Sequence, residues 1–373
     1  MAFQTTIQPS GYRFPIEEHE TILEAALRHG YSLPYSCREG VCGVCKGKIL
    51  EGQAELGNYL SSALTNAEQA AGMTLFCCAM PKSDLVVERH SASKINDIPV
   101  RIMPCRVHQM VRLTDEVMAL QLELPMDERL RFQAGQYISI LPKDQKPRNF
   151  SLANAPHNND FLELHIRKVD DGVFTQHVFN EMKERDILRF KGPLGEFRLR
   201  EDTGKPAIFV ADGTGFAPIK AMIEHALHIG LQRPMHLYWG GCRPSDLYML
   251  DEARQWESSG IKFVPVLSET LPEDNWQGRT GLVHQAVLED FNNLSGHEIY
   301  ACGAQAMLDA ARRDFTAQRS LPAESFFSDA FFPMPGLNNP FQQYKSPFQQ
   351  AVSQASPAFI CCPPPSLPPA GST

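Results

Sequence analysis

The stretch Tyr35-Ser-Cys-Arg-Glu-Gly-Val-Cys-Gly-Val-Cys-Lys46 places three cysteines close together near the N-terminus. Cys37, Cys42 and Cys45 follow the pattern C-x4-C-x2-C, and a fourth thiol, Cys77, comes after 31 intervening residues. This is the plant-type spacing of a [2Fe–2S] cluster, in which all four ligands are thiolates. The sequence therefore predicts such a cluster in this loop.

Two points about the cysteines stay open at this level. Gly40 and Gly43 suit a loop that turns its backbone N–H groups towards cluster sulfurs. The C-x2-C pair at positions 42–45 also occurs in zinc sites, but these usually add a second pair or histidines, and no second pair is present. Cys77 and Cys78 are adjacent, so the residues alone do not decide which of them is the fourth ligand.

Length and charge exclude several classes of function. A chain of 373 residues suffices for two or three domains. The net charge of −8, with no run rich in Lys or Arg, argues against binding of nucleic acid. The sequence contains no run of about 18 apolar residues, so it predicts no transmembrane helix. Ten cysteines and no recognisable export signal predict a cytoplasmic protein.

The hydrophobic pattern predicts a multi-domain chain. Residues 1–92 predict a small mixed sheet crossed by one helix, similar to the β-grasp fold of plant-type ferredoxins. A polar linker follows at 91–97. Short strands separated by turns over 100–203 predict an antiparallel β-barrel. Alternating strands and helices over 204–332 predict a Rossmann-like parallel sheet with helices on both faces.

The last 41 residues, 333–373, differ from the rest. They contain 10 of the 28 prolines and a single charged residue, Lys345. This composition predicts a disordered tail. An interaction segment and an accidental extension of the chain both remain open.

Two motifs in the barrel suit a flavin nucleotide. Arg148-Asn-Phe-Ser151 begins a strand, and an Arg can clamp a pyrophosphate while an aromatic ring and a hydroxyl face an isoalloxazine. Asp171-Gly-Val-Phe-Thr175 begins a helix, where backbone N–H groups favour a phosphate. An ordinary edge strand and a plain helix cap are the alternatives.

Two further motifs suit a nicotinamide dinucleotide. Asp212-Gly-Thr-Gly-Phe-Ala-Pro218 forms a glycine-rich turn between a strand and a helix. Tyr300-Ala-Cys-Gly303 puts a thiol at the carboxyl edge of the sheet, although Cys302 also suits a buried structural cysteine. One Arg and one Asp in 240–246, without a basic cluster, favour NADH over NADPH.

With these motifs in this order, residues 3–332 resemble the three-domain iron–sulfur flavoprotein reductases that serve bacterial oxygenases and related enzymes. The shared motifs are R-x-[FY]-S, G-T-G-x-x-P and C-G. Within that family the chain is most similar to the CDP-6-deoxy-Δ3,4-glucoseen reductase group, through Leu237-Tyr-Trp-Gly-Gly241 and Arg198-Leu-Arg-Glu-Asp202. Phenol hydroxylase reductases come next.

The resemblance implies a role for each motif. It favours Cys77 over Cys78 as the fourth cluster ligand, and it makes Ser151 (at flavin N5) and Cys302 (at the nicotinamide) catalytic. The residues implied to contact FAD are Arg148, Phe150, Ser151, Gly172, Val173, Phe174, Thr175 and, in the C-terminal segment, Phe331. The residues implied to contact the nicotinamide dinucleotide are Gly213, Thr214, Gly215, Pro218, Cys302 and Gly303.

The implied activity is electron transfer from NADH through FAD and the [2Fe–2S] cluster to a partner enzyme, a dehydratase or an oxygenase component. Two departures from the family pattern bear on it: Asp212 puts a carboxylate beside a phosphate site, and the tail follows the terminal aromatic residue. A zinc-binding scaffold and a reductase damaged at its C-terminus are the alternative functions.

Overall fold

The computed structural model describes residues 2–89, 92–94, 98–126, 128–143, 146–170 and 172–331. Three large sheets of five, six and six strands follow one another along the chain, and its described N-terminal part also contains two two-stranded sheets. Within these ranges no helix has the length and apolar character needed to cross a lipid bilayer. Asp171, Phe332 and the predicted tail 333–373 lie outside the described residues.

The first sheet is mixed and is crossed by one helix, as the sequence predicts. The elements of this part of the chain are β1 (Ala2–Gln8), β2 (Tyr12–Glu17), α1 (Ile22–Arg28), β3 (Tyr31–Ser32), β4 (Lys46–Glu51), β5 (Ala54–Leu56), α2 (Asn66–Ala70), β6 (Met73–Leu75), β7 (Ala79–Pro81), β8 (Leu85–Glu88) and β9 (Ser93–Lys94). The pairs β3-β9 and β5-β7 form separate two-stranded sheets beside the five-stranded one. The strand order is β2-β1-β8-β4-β6, and only β1 and β8 are parallel neighbours in it. Because β9 pairs with β3, the predicted linker at 91–97 is wrong for residues 93–94.

Local signals in the sequence set both ends of helix α1. Thr21 and Glu24 form both hydrogen bonds of a capping box, and Gly30 follows the helix with φ +76°. The buried face includes Leu23, whereas Leu27 is only half-buried. This face packs against the sheet and helps to fix the loop that follows it.

The close approach of Gly47 to Phe76 gives a stability prediction. A Cβ at Gly47 would lie 2.2 Å from Cζ of the fully buried Phe76 ring. We expect Gly47→Ala to lower the free energy of unfolding by about 1–3 kcal/mol, as overpacking of a core does. Denaturant unfolding checks this. Gly57→Ala is the control, since the atom nearest to a Cβ at Gly57 would be 3.4 Å away from it. Equal unfolding midpoints for the two variants would contradict it.

The second sheet curls into the predicted antiparallel barrel. Its elements are β10 (Arg101–Arg112), β11 (Val117–Glu123), β12 (Tyr137–Ile140), β13 (Arg148–Ser151), β14 (Phe161–Arg167), α3 (Val173–Asn180) and β15 (Ile187–Leu194). The strand order is β13-β12-β15-β10-β11-β14. An isolated bridge between Leu152 and Leu164 brings the two edges together. The sheet therefore closes around one apolar core.

The third sheet is parallel throughout, as predicted. Its elements are β16 (Ala207–Asp212), α4 (Phe216–His228), β17 (Met235–Gly241), α5 (Leu250–Gln255), β18 (Lys262–Leu267), β19 (Arg279–Thr280), α6 (Val283–Asp290), β20 (Glu298–Ala304), α7 (Gln305–Arg319) and β21 (Phe326–Phe331). The order is β19-β18-β17-β16-β20-β21. Alternate residues of β16 enter two separate cores, so both faces are covered. The order reverses at β16, where ligands bind in open parallel sheets.

Candidate active site

The cysteine loop between β3 and β4 needs glycine at two positions. Gly40 and Gly43 have φ of +71° and +72°, a region that favours glycine. A Cβ at Gly40 would also lie 2.7 Å from the carbonyl oxygen of Asn58 and 2.8 Å from Sγ of Cys78. The loop can therefore fold tightly over the segments that carry these two residues.

The four predicted ligands lie in two pairs. Sγ of Cys45 is 3.2 Å from Sγ of Cys77, and Cys42 lies close enough to Cys37 to lower the pKa of the Cys37 thiol. Within the described residues, no three His, Cys, Asp or Glu side chains converge as a single ion would require. Two pairs of thiols match the needs of a two-iron centre, with two thiolates for each iron. The donor set therefore fits a [2Fe–2S] cluster.

Cys78 is placed differently from these four residues. Its Sγ is 3.5 Å from Sγ of Cys77, and its thiol donates to the carbonyl oxygen of Asn58 at 3.4 Å. It thus already has a backbone hydrogen-bond partner, and no hydrogen bond between Cys78 and Cys45 is seen among the described residues. This geometry favours Cys77 as the fourth ligand.

The Arg148–Ser151 motif forms β13, and its last residue carries an unsatisfied hydroxyl. Ser151 is buried, and its Oγ has no hydrogen-bond partner in the described part of the chain. Phe150 is half-buried against Phe174, with ring centroids 5.5 Å apart. Where the structure describes its surroundings, Arg148 donates to the carbonyl oxygens of its neighbours at 146–147. A buried hydroxyl without a partner is costly, so this site fits a ligand that supplies a polar atom, as FAD would.

The Gly172–Thr175 segment forms the start of α3, but its hydroxyl has another role. The Thr175 Oγ1 accepts from the N–H of Val169 at 3.1 Å and donates to the carbonyl oxygens of Val169 and Gly172 at 3.2 and 3.0 Å. Among the described residues no side chain caps the helix, whose first helical residues are Val173 and Phe174. The backbone N–H groups of this first turn, rather than the hydroxyl, suit a phosphate.

The predicted nucleotide motifs meet at the carboxyl edge of the third sheet. A Cβ at Gly215 would lie 2.1 Å from the carbonyl oxygen of Cys302, and one at Gly303 would lie 2.6 Å from Cβ of Asp212. Gly213 has φ +51° and passes close to the guanidinium of Arg167. The glycines thus let the turn and the two strand ends touch. The remaining predicted residues are the half-buried Thr214 in the turn and the buried Pro218 in the first turn of α4.

Cys302 is fully buried, so it differs from reactive cysteines, whose thiols are exposed to solvent. Burial raises the pKa of its thiol well above the ordinary value, and the carboxylates of Asp329 and Asp212 add to this effect. Asp329 is its partner in register on β21, and Phe331 lies two residues further along that strand. The structure therefore brings the C–G motif together with the C-terminal segment, and Cys302 is neutral at physiological pH.

A buried polar network that the sequence does not reveal joins the barrel to the third sheet. His165 on β14 hydrogen-bonds to Glu163 at 3.0 Å and to the hydroxyl of Tyr248 at 2.9 Å. Lys220 on α4 lies 3.3 Å from Glu163 and donates to the carbonyl oxygen of Ala153. Burial acts to raise the pKa of Glu163, but His165 and Lys220 lower it to about 2. A charged carboxylate thus holds the two parts together.

A second set of contacts joins the cysteine loop to both other parts. The Ser36 hydroxyl donates to the Asp329 carboxylate, and the Tyr137 hydroxyl donates to the Ser36 carbonyl oxygen at 2.7 Å. The N–H of Gly195 donates to the Tyr35 hydroxyl at 2.9 Å. Burial raises the pKa of Asp329 to about 6. In the sequence Ser36 is notable only because it precedes Cys37, so its hydrogen-bond partners could not be predicted from the sequence.

Comparison with known proteins agrees with this architecture. Three family models match in order: the 2Fe-2S iron-sulfur cluster binding domain over residues 5–82, the oxidoreductase FAD-binding domain over 104–199 and the oxidoreductase NAD-binding domain over 209–313. These matches cover the cysteine loop, the barrel and the parallel sheet respectively.

Relatives and a solved structure span nearly the whole of these three parts. The CDP-6-deoxy-L-threo-D-glycero-4-hexulose-3-dehydrase reductase of Yersinia pestis is 39% identical over 335 residues, covering 89% of this chain and 99% of that protein. The phenol 2-monooxygenase reductase component DmpP of a Pseudomonas species is 35% identical over 317 residues, covering 83% and 89%. The structure of the ferredoxin reductase in carbazole 1,9a-dioxygenase superposes with a TM-score of 0.66 at 26% identity, covering 89% and 99%.

Proposed function

Because this chain belongs to the three-domain iron–sulfur flavoprotein reductases, we propose that it serves a dehydrase acting on a nucleotide-linked deoxyhexulose. The family makes it an NAD(P)H-dependent oxidoreductase that passes electrons through FAD and a [2Fe–2S] cluster to a partner protein. The 39% identity to the Yersinia pestis reductase over 99% of that protein supports the dehydrase partner. An oxygenase component is the second candidate, supported by the 35% identity to the phenol 2-monooxygenase reductase.

One observation carries the electron-transfer function. The loop with the paired thiols touches both the strand that precedes the Ser151 strand and the strand that lies beside Cys302. Bound cofactors supply the conversion of hydride from NADH into single electrons, at FAD and then at the cluster. The protein holds the three sites together and excludes water between them.

Individual residues are proposed for each task. The thiolates of Cys37, Cys42, Cys45 and Cys77 hold the cluster. The unsatisfied Ser151 hydroxyl bonds flavin N5, Phe150 packs on the ring, and Arg148 and the first turn of α3 hold the FAD phosphates. The glycine turn at 213–215 and the C–G motif at 302–303 shape the nicotinamide site. The Cys302 side chain is neutral, so it shapes that site through its volume and adds no charge.

Domain limits and compartment complete the proposal. We place the cluster domain at 1–92 with the short strand β9 (Ser93–Lys94) attached to it through β3, the FAD-binding barrel at 100–203 and the NAD-binding domain at 204–332. The cytoplasm suits the protein because a reducing compartment keeps thiols available as metal ligands. The described cysteines are all free of disulfides, which supports this.

An anaerobic visible spectrum before and after one equivalent of NADH tests the reductase function. We expect flavin bands and a red-brown cluster absorption, both bleached by NADH. A colourless protein that carries zinc would overturn it. Separate addition of a purified deoxyhexulose dehydrase and a phenol hydroxylase component then tests the partner. Reoxidation of the reductase by the oxygenase component alone would overturn the dehydrase proposal.

Asp212 should make NADH binding depend on pH. Burial raises the pKa of its carboxyl to about 6, against the opposing charge of Arg167. The carboxylate is therefore charged above that pH and repels a pyrophosphate at the adjacent turn. We expect KM for NADH to rise about fivefold as pH rises through 6, equivalent to about 1 kcal/mol of repulsion between nearby charges.

Steady-state kinetics at a series of pH values measure this effect. Asp212→Asn should remove the rise and keep KM low, because the amide stays neutral. Asp202→Asn, at an exposed position, is the control and should retain the wild-type profile. A pH profile of KM that is unchanged in Asp212→Asn would refute the role of this carboxylate.

A further inference from the structure

The cysteine loop is held from two sides at one residue, Ser36, directly before the predicted ligand Cys37. Its hydroxyl donates to Asp329 of the parallel sheet, and its carbonyl oxygen accepts from the Tyr137 hydroxyl of the barrel at 2.7 Å. Ser36, Asp329 and Tyr137 are 6%, 5% and 4% exposed. Buried polar groups that lose their partners are costly, so these hydrogen bonds resist opening.

Each partner of Ser36 lies on a strand paired with a predicted catalytic residue. Tyr137 on β12 is in register with Ser151 on β13. Asp329 on β21 is in register with Cys302 on β20. The path from either catalytic residue to Ser36 is therefore one backbone pairing and one side-chain hydrogen bond. Movement of the loop relative to either strand must break one of these links.

The barrel side of this contact is shaped for the Tyr137 ring. Gly195 has φ +92°, and a Cβ there would lie 2.8 Å from Cδ1 of Tyr137. Its N–H donates to the Tyr35 hydroxyl at 2.9 Å, which adds a second link between loop and barrel. Tyr137 and Leu194 also join the apolar core of the first sheet. The barrel surface is thus fitted to residues 35–36.

The loop packs on the third sheet as well. Cys42 belongs to the apolar core formed by β16, β20 and the helices on one face of that sheet, and the partly buried Cys37 and Val44 pack against it. The hydrogen bond between Ser36 and Asp329, which are 293 residues apart in the chain, is therefore accompanied by apolar packing between the loop and the sheet. Apolar contact alone is non-directional, whereas the hydrogen bonds of Ser36 fix one arrangement.

We propose that Ser36 is a positioning residue, which fixes the cluster loop against the strands paired with Ser151 and Cys302 and so sets the rate of electron transfer into the cluster. This rests on the proposed function. Electron transfer weakens steeply with the gap between donor and acceptor, so a small shift of the loop matters, whereas hydride transfer at the flavin does not involve the loop.

Stopped-flow absorbance separates the two transfers in the holoenzyme. With Ser36→Ala we expect flavin reduction by NADH within about twofold of wild type, and cluster reduction slower by about 10–100-fold, the scale of small misplacements of reacting groups. Tyr137→Phe removes the other hydrogen bond from outside the cluster domain and should slow the same step. Ser36→Thr restores a hydroxyl and should recover part of the rate.

Thr5→Val is the matched control. Thr5 is a fully buried residue of the same domain, and its hydroxyl has no hydrogen-bond partner. Its replacement removes a buried hydroxyl without cutting a link, so both transfer rates should stay as in wild type. Iron content and the cluster midpoint potential are measured for every variant, since a positioning role leaves both unchanged.

Hydrogen–deuterium exchange gives a readout that does not depend on turnover. We expect faster exchange in the peptide covering residues 33–46 for Ser36→Ala and Tyr137→Phe, and no change for Thr5→Val. Unchanged cluster reduction in both variants, or a slowing explained by a shifted midpoint potential, would overturn the proposal. Wild-type flavin that NADH fails to bleach would instead overturn the proposed function.

Discussion

Replacement of Cys37 by Ser should abolish the cluster absorbance and electron delivery to the partner, while NADH-dependent ferricyanide reduction stays within about twofold of wild type. The serine hydroxyl is a poor iron ligand compared with a thiolate, and Cys37 pairs with Cys42 in the loop. The flavin stands before the cluster in the sequence of transfers, so it still accepts hydride and can reduce ferricyanide. Visible absorbance, iron content and the ferricyanide assay measure the three quantities.

Cys78→Ser provides the control for this prediction. Cys78 lies beside Cys77 but donates to the backbone of Asn58, so its loss should leave the cluster in place. Iron content near wild type in Cys78→Ser and near zero in Cys37→Ser is the expected pattern. Loss of ferricyanide activity together with the cluster in Cys37→Ser would contradict the order of transfers, and loss of iron in Cys78→Ser would contradict the ligand set.

Ser151→Ala should slow flavin reduction by NADH about 100-fold, the usual effect of removing one well-placed hydrogen-bonding group from a reacting centre. The Ser151 hydroxyl is buried and has no partner within the described residues, which is how a group reserved for a ligand looks. The apoprotein should lose no stability, because the alanine leaves no hydrogen bond unmade. Anaerobic stopped flow measures the rate, and denaturant unfolding measures the stability.

Ser139→Ala is the matched control for this variant. Ser139 is a buried residue of the neighbouring strand β12, and no flavin contact is proposed for it. Its variant should reduce flavin at the wild-type rate with a full FAD content. An unaltered rate of flavin reduction in Ser151→Ala, at full FAD content, would remove the role proposed for the hydroxyl.

Local signals made most of the architecture predictable. The capping box at Thr21 marks the start of α1 and Gly30 marks its end, and each signal acts within one helical turn. The barrel could be distinguished from the parallel sheet because the hydrophobic pattern changes from successive short strands to strands that alternate with helices. Motifs that combine a glycine turn with its flanking strand, such as 212–218, were placed correctly at the sheet edge because the chain order alone defines that edge.

Contacts between distant parts of the chain could not be predicted. Nothing near Ser36 indicates a partner at Asp329, and nothing near His165 indicates Tyr248. The strand β21 was also missed as a strand, since its Phe326–Phe331 pattern follows a helix without alternation. The hydrogen bonds of the Thr175 hydroxyl could not be predicted either, because its partners are backbone groups of Val169 and Gly172.

The separation of 293 residues between Ser36 and Asp329 also constrains the order in which the chain matures. Domains form from the N-terminus first during synthesis, so the cysteine loop emerges from the ribosome long before β21 exists. During that interval the side of the loop that β21 later covers stays open to solvent. The Ser36–Asp329 hydrogen bond therefore forms only after synthesis has reached β21, which makes the docking of the loop on the third sheet a late step.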